Sequence, residues 1–235
     1  MDTLGCRANF TGAAAPGKKN MQTPNTSPAS AVEAASPSVS ADAHLHRCPW
    51  CGDDPLYVRY HDEVWGRPVG DSRELFAKLC LDGQQAGLSW ITILRKQRAY
   101  EEAFAGFDPE RLVRDSTEDV ERLMLNPGIV RNRLKIRSII GNAAAYLALQ
   151  ERGIAFNHFI WQFVDGRPQI NRPVSMADVP ATTEVSDRLS KALKKAGFTF
   201  VGSTIVYAFM QATGVVNDHL TGCPGHRRCA EVALD

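Results

Sequence analysis

The sequence lacks a charge imbalance, a long apolar run and an apolar leader, and each absence narrows the class of protein. Its 235 residues carry 27 Lys and Arg against 26 Asp and Glu, which gives a formal net charge of +1. A chain so close to neutral is not a globally basic nucleic-acid coat, so any affinity for DNA has to come from a local patch. No run approaches the ~20 apolar residues that span a bilayer, and no apolar leader follows the N-terminus. We therefore expect neither a membrane span nor secretion, and we place the protein in the cytoplasm with its nucleoid.

Sequence patterns typical of β-strands are also scarce. The amino-acid composition of the chain changes near residue 45. Residues 1–45 are rich in Ala, Ser, Pro, Thr and Asn, with Phe10 as their single aromatic residue, so we predict a disordered tail. Residues 46–235 are predicted to form one compact, mainly α domain. Apolar periodicity and capping residues predict helices over residues 72–80, 90–104, 129–150, 186–196 and 201–214. Two further helices are predicted to begin at residues 108 and 116.

The six cysteines, in a chain without export signals, favour metal ligands and free thiols over a disulfide framework. Cys48, Cys51 and His61 lie near one end of the predicted domain, and His219 and Cys223 lie near the other. Thiolates and neutral imidazoles suit a tetrahedral Zn²⁺, which would join the two ends of the fold. Because His219 and Cys223 are four residues apart, one helical turn would place both side chains on one face.

A tight turn at Asn126-Pro-Gly128 joins two predicted helices. Glycine allows the positive φ that such a turn needs, and the backbone N–H groups that follow would face outward and bind a phosphate. Positive charge comes next, at Arg131, Arg133, Lys135 and Arg137. The turn therefore predicts either a contact with the DNA backbone or an ordinary helix connection with a solvated basic face.

Five aromatic residues form a second candidate site: Trp50, Tyr57, Tyr60, Trp65 and Trp90. The carboxylates of Asp62 and Asp82 stand near them in the sequence. Such residues most often fill a core. The alternative is a pocket that holds a planar, electron-poor ring between aromatic faces, with a carboxylate supplying charge and hydrogen bonds.

Over residues 47–223 the chain resembles the 3-methyladenine DNA glycosylase I family. The resemblance is carried by these ordered stretches: Arg47-Cys-Pro-Trp50, Asp54-Pro-Leu-Tyr57, Tyr60-His-Asp62, Glu63-Val-Trp-Gly66, Gly83-Gln-Gln-Ala-Gly-Leu-Ser-Trp90, Leu189-Ser-Lys-Ala-Leu-Lys-Lys195, Gly197-Phe-Thr-Phe-Val-Gly202 and Val216-Asn-Asp-His219. It implies a helix-hairpin-helix glycosylase fold that acts on alkylated double-stranded DNA, as a monomer with no obligate protein partner.

The resemblance also assigns the site residues. It implies a structural zinc on Cys48, His61, His219 and Cys223, while Cys51 and Cys229 stay open as alternative ligands. It implies a base pocket of Tyr57, Tyr60, Trp90 and Asp82, with Trp50 and Trp65 nearby and with Asp82 and Tyr60 as candidate catalytic residues. The turn itself predicts the DNA contacts Gly128, Ile129, Val130, Arg131 and Arg133, and Leu88, just before Ser89-Trp90, is predicted to fill the gap that a flipped base leaves.

Asp82 stands where the family usually has glutamate. Aspartate is one methylene shorter, so its carboxylate would sit about 1.5 Å further from the base. The implied reaction is hydrolysis of the N-glycosidic bond of 3-methyladenine after base flipping, without a lyase step. Two alternatives stay open: a zinc-containing lesion binder that has lost catalysis, and a glycosylase for other bases such as 3-methylguanine.

Overall fold

The structure is a computed structural model that describes residues 46–232. These residues form a mainly helical domain, which confirms the predicted helical class. The predicted tail over 1–45 lies outside the described residues. Among the helices that are described, none is both long enough and apolar enough to cross a membrane.

Eleven α-helices make up most of the described chain. They are α1 Pro55–Glu63, α2 Ser72–Gln85, α3 Trp90–Leu94, α4 Gln97–Ala103, α5 Pro109–Leu112, α6 Thr117–Met124, α7 Arg133–Glu151, α8 Phe156–Trp161, α9 Glu184–Lys195, α10 Ser203–Ala212 and α11 Pro224–Ala230. Two short strands, β1 Gln169–Ile170 and β2 Val216–Asn217, pair in parallel, with Gln169 opposite Val216.

Side-chain caps fix several helix starts where the sequence predicts them. The Asp71 carboxylate accepts hydrogen bonds from the N–H groups of Arg73 and Glu74, both at 2.8 Å, and so caps α2. Ser116 and Asp119 form a reciprocal capping box at α6. These short-range hydrogen bonds are encoded by neighbouring residues, which is why the sequence predicts them correctly.

Several helix boundaries differ from the prediction; α2, for example, continues to Gln85 rather than ending at residue 80. The single helix predicted over 90–104 is two helices, α3 and α4, separated at Arg95 and Lys96. The helix predicted from Ile129 begins only at Arg133, because the Asn132 side chain caps it by accepting from the N–H groups of Leu134 and Lys135. Ile129 is buried in the preceding loop, so its apolar character belongs to the core rather than to a helical face.

The core centres on α2, which packs against α7, α8 and α10. Phe76 of α2 is fully buried against Tyr146 and Phe156, with ring centroids 5.1 and 6.4 Å away. These contacts anchor the first half of α2, and its second half carries Lys78 and Asp82 to one wall of a cavity.

Candidate functional site

A cavity of about 280 Å³ opens against α2 and α10. The five aromatic residues singled out in the sequence all line it: Trp50, Tyr57, Tyr60, Trp65 and Trp90. Asp82 lines it as well. The structure thus brings the predicted pocket residues together, although they come from separate parts of the chain.

The aromatic rings make a continuous wall. The Trp50 ring lies 5.1 Å from Tyr57 and 4.9 Å from Trp65, measured between centroids, and both pairs meet edge to face. The centroids of Tyr60 and Trp90 are 5.5 Å apart. Such contacts fix the ring orientations, so the wall is formed before a ligand arrives.

Asp82 is 2% exposed and forms an ion pair with Lys78, four residues earlier on α2. Burial raises the pKa of Asp82, and Lys78 opposes that shift by its charge and hydrogen bond. The Lys78 ammonium also lies 4.0 Å from the centroid of the Trp90 ring. Lys78 lines the cavity, but no motif in the sequence marks it; the i, i+4 spacing to Asp82 is the one signal that could have found it.

Two buried polar atoms at this wall have no hydrogen-bond partner among the described residues, Asp82 Oδ2 and Trp90 Nε1. An unpaired buried polar group is unfavourable by about 1–3 kcal/mol. A free acceptor and a free donor beside an aromatic wall are therefore available to a planar, polar ligand.

Asp218 is a second buried carboxylate at the cavity, and the sequence reading did not assign it a role. Its oxygens accept hydrogen bonds from the Tyr207 hydroxyl, from Gln211 Nε2 at 2.8 Å and from Asn171 Nδ2 at 2.7 Å. Because its acceptors are already used, Asp218 stabilises the wall between α10 and β2. Asp62, by contrast, bonds His61 Nδ1 at 2.8 Å and Arg47 rather than the cavity.

A compact group of four buried side chains lies behind the aromatic wall: Cys48, His61, His219 and Cys223. Their candidate ligand atoms all lie within 4.8 Å of one another. Cys223 Sγ is 3.5 Å from His61 Nε2 and 3.6 Å from His219 Nδ1, and Cys48 Sγ is 3.6 Å from His219 Nδ1. Ligands at the usual Zn–N and Zn–S distances around a tetrahedral centre are about 3.3–3.8 Å apart. The group therefore fits a tetrahedral metal ion.

The atoms around this Cys/His group orient it further. His61 Nδ1 faces Asp62 and His219 Nε2 faces the Trp65 carbonyl at 3.1 Å, which leaves the other nitrogen of each ring for the shared centre. The pKa of the Cys223 thiol is lowered to about 2, mainly by a hydrogen bond from Cys48 and then by His219 and His61. A thiolate between two oriented imidazoles is a metal-binding arrangement.

The predicted helical turn from His219 to Cys223 is wrong. His219 lies in a loop after β2, and Cys223 is the N-cap of α11. The Cys223 N–H donates to the Leu220 carbonyl at 2.8 Å, so a tight turn brings the two ligands together. Spacing alone does not distinguish such a turn from a helix.

The alternative thiols lie outside the group of four. The Cys51 thiol donates to the Cys48 carbonyl at 3.2 Å, and Cys229 Sγ lies 3.8 Å from the Trp65 carbonyl. Neither is among the described residues that could share a metal ion with His61 and His219. The geometry therefore favours the four ligands that the family resemblance implies.

We expect Gly225→Ala to weaken metal binding and to lower the stability of the fold. A Cβ at Gly225 would lie 2.4 Å from Cε1 and 2.5 Å from Nδ1 of His219, well inside contact distance. Such overpacking destabilises by about 1–3 kcal/mol and would displace the imidazole. Metal content per chain and the melting temperature report both effects. Gly222→Ala in the same loop, where a Cβ meets nothing within 4 Å, is the matched control and should change neither.

The turn predicted to contact DNA joins α6 to α7 through residues 125–132. Gly128 does not have a positive φ, so the expected reason for glycine is wrong. A Cβ there would instead lie 2.8 Å from Ala99 Cβ, so glycine allows α4 to approach closely. The Gly128 N–H donates to Asn126 Oδ1 and the Val130 N–H donates to the Tyr100 hydroxyl, so these two N–H groups are used within the fold and do not face outward as predicted.

The basic residues after the turn separate into different environments. Lys135 is buried and its ammonium donates to the carbonyls of Gln84 and Ala86, so it is not part of an exposed basic face. Arg133 pairs with Glu121, whereas Arg131 is exposed. Lys96 donates to the Pro127 carbonyl at 2.8 Å and adds a positive charge at the turn that the sequence reading missed. Leu88 is 40% exposed in the loop between α2 and α3.

Comparison with known proteins agrees with this fold. Residues 50–227 match a family model described as methyladenine glycosylase. The chain is 52% identical over 186 residues to DNA-3-methyladenine glycosylase 1 of Escherichia coli, an alignment that covers 78% of this chain and 100% of the relative.

Solved structures give the same result. A crystal structure of 3-methyladenine DNA glycosylase I is 56% identical, with a TM-score of 0.75, and the match covers 76% of this chain and 98% of that one. A structure addressing 3-methyladenine recognition by the Staphylococcus aureus enzyme is 40% identical, with a TM-score of 0.75, over 77% of this chain and 97% of that one. The domain therefore has the fold of these helical DNA glycosylases. The chain belongs to the methyladenine glycosylase family.

Proposed function

We propose that the protein is a DNA-3-methyladenine glycosylase that hydrolyses the N-glycosidic bond of the methylated base in alkylated double-stranded DNA. The observation that carries this proposal is the cavity in which an aromatic wall meets the buried Asp82 carboxylate, one oxygen of which is unpaired. The relatives' names supply the base, and the cavity supplies groups that suit it.

Recognition rests on charge and ring contacts. Methylation at N3 makes adenine cationic while it is attached to the sugar, and a cationic ring is attracted to aromatic faces by about 0.5–2 kcal/mol each. Tyr57, Tyr60 and Trp90 would contact this ring, and Trp50 and Trp65 would hold the wall in place. Asp82 would accept a hydrogen bond from the base. Each of these residues lines the cavity, which supports the assignment.

The chemistry needs little assistance at the leaving group, because the departing base takes the bonding electrons and loses its positive charge. The protein therefore has to extrude the nucleotide, at a few kcal/mol of unstacking, and hold the base while water attacks C1′. Asp82 and Tyr60 are the residues we place next to the reacting base. We propose that the enzyme is monofunctional and leaves an intact abasic strand.

DNA is proposed to bind across the turn between α6 and α7. Arg131 and Lys96 supply positive charge there, and Ile129, whose side chain is buried, would offer only its backbone to a phosphate. Gly128 and Val130 would shape the turn through their internal hydrogen bonds, and Arg133 would contribute once it leaves Glu121. Leu88, exposed at the tip of its loop, would fill the gap left by the flipped base. No partner subunit is required in this scheme, so we propose a monomer.

The group of four ligands is proposed to hold Zn²⁺. Bound there, the ion would supply a structural crosslink from α1 and the segment before it to the loop before α11. With four protein ligands it would keep no open position for water, so it would take no part in the reaction. Trp65 stacks on His61, with centroids 6.3 Å apart, and meets His219 edge to face at 4.6 Å. The ligands therefore also support the aromatic wall.

Chromatography of the bases released from methylated duplex DNA tests the proposed function. We expect 3-methyladenine as the dominant product and unbroken abasic strands. A dominant 3-methylguanine peak would assign the alternative specificity, and nicked strands would contradict the monofunctional scheme. Tight binding to alkylated DNA without any released base would favour the lesion-binding alternative.

A further inference from the structure

The unusual group in the cavity is Lys78. Its side chain is 15% exposed, and its ammonium pairs with the buried Asp82 carboxylate while lying 4.0 Å from the centroid of Trp90. A positive charge thus already rests on the two groups that would bind a cationic base. The proposed function does not use this residue.

The position of the ammonium excludes a stacked ring on the same face of Trp90. Carbon atoms in contact lie about 3.5–4.0 Å apart, so a base stacked on that face of the indole needs the volume that Nζ occupies. The paired oxygen of Asp82 is also committed to Lys78. The ammonium and a base stacked on this face cannot occupy the cavity together.

We propose that Lys78 is the specificity-determining residue of the pocket, an internal cation that holds the base position in the absence of DNA and withdraws when the base binds. This inference rests on the proposed function. It adds that the pocket selects a base that carries a positive charge. Lysine suits such a role because its four-carbon chain is flexible and the side chain is partly exposed.

Withdrawal of Lys78 leaves the Asp82 carboxylate buried without a counter-charge, which is strongly unfavourable. A cationic base restores a positive charge at that place, whereas a neutral base of the same shape does not. Burial also lowers the pKa of Lys78, although Asp82 opposes the shift. A bound cation can therefore replace the ammonium without leaving the Asp82 carboxylate unpaired.

Binding of two small probes tests this inference without any excision step. The 3,9-dimethyladeninium cation carries the charge of the methylated nucleoside, and 9-methyladenine is the neutral counterpart. We expect Lys78→Met, which removes the charge at similar length, to bind the cation about tenfold or more tightly than the wild-type protein, because no internal cation competes. Lys78→Arg keeps a cation and should remain near the wild-type affinity. The cation should bind more tightly than 9-methyladenine to the wild-type protein.

The inference would be overturned if Lys78→Met and the wild-type protein bound the cation with equal affinity. A thermal melt of each protein checks that both are folded. A structure of the wild-type protein with 3,9-dimethyladeninium gives a second test that needs no variant. It should show the ammonium moved off Trp90; a base bound in the cavity with Lys78 still on Trp90 and Asp82 would contradict the proposal. Base release by the wild-type protein is measured separately, so failure of the proposed function is distinguished from failure of this inference.

Discussion

Asp82→Asn is expected to lower kcat/KM for release of 3-methyladenine by about 10²-fold or more, the usual effect of removing one pre-oriented electrostatic group from an active site. The carboxylate is 2% exposed, so water does not screen its charge. Asparagine keeps the shape of the side chain and removes only the charge. Single-turnover excision from methylated duplex DNA measures the effect.

Two controls separate this effect from a loss of structure. Asp82→Asn leaves the Lys78 ammonium without its partner, so the double variant with Lys78→Met removes both charges and isolates the lost contact with the base. Asp82→Glu keeps the carboxylate charge on a side chain one methylene longer and should retain excision. Excision by Asp82→Asn at the wild-type rate would remove Asp82 from the mechanism.

The dependence of excision activity on pH is a second test of the proposed role of the Asp82 carboxylate. The proposed contact needs the ionised carboxylate, and burial raises the pKa of Asp82 above the ordinary aspartate value. Activity should therefore begin to fall at a higher pH, on acidification, than it would for an exposed aspartate. Asp82→Asn should lose this acid limb, since asparagine does not titrate.

Cys223→Ser is expected to remove the metal and to lower the melting temperature by about 10 °C or more, since loss of a structural ion weakens the fold by several kcal/mol. Cys223 is 3% exposed and faces both His61 and His219, so a lost thiolate disrupts the whole group. Metal content by mass spectrometry and a thermal melt report the two outcomes. Excision should fall as well, because Trp65 rests on the two imidazoles.

Cys51→Ala and Cys229→Ala are the matched controls, since both thiols are buried near the group without belonging to it. Each variant should keep one zinc ion per chain. Loss of zinc from either one, with retention in Cys223→Ser, would show that the ligand set is wrong.

Much of the fold follows from local sequence signals. Asp71 and Ser116 cap their helices through neighbouring N–H groups, and Gly197 ends α9 with a φ of +100°. These features depend on residues a few positions apart. The start of α7 was predicted too early because the apolar residues at 129 and 130 continue the helical pattern, although they pack in a loop.

The sequence predicts those residues of the candidate site that belong to recognisable motifs. It does not predict the residues whose role depends on how the helices pack. The aromatic set and the Cys/His residues near the two ends of the domain were marked by their motifs, whereas Lys78 and Asp218 have roles that depend on the cavity wall they face. Lys135 shows the reverse case. Its charge suggested a DNA-facing surface, but its stem is buried and its ammonium holds two backbone carbonyls. Sequence gives the type of charge, and the tertiary fold gives its partner.

The most direct test of the proposed function is the rate at which 3-methyladenine leaves methylated duplex DNA with saturating protein, compared with its spontaneous loss from the same DNA. We predict a rate far above the spontaneous one for the wild-type protein, and a rate lower than the wild-type rate by about 10²-fold or more for Asp82→Asn. Release by folded wild-type protein at the spontaneous rate would contradict the proposed glycosylase function.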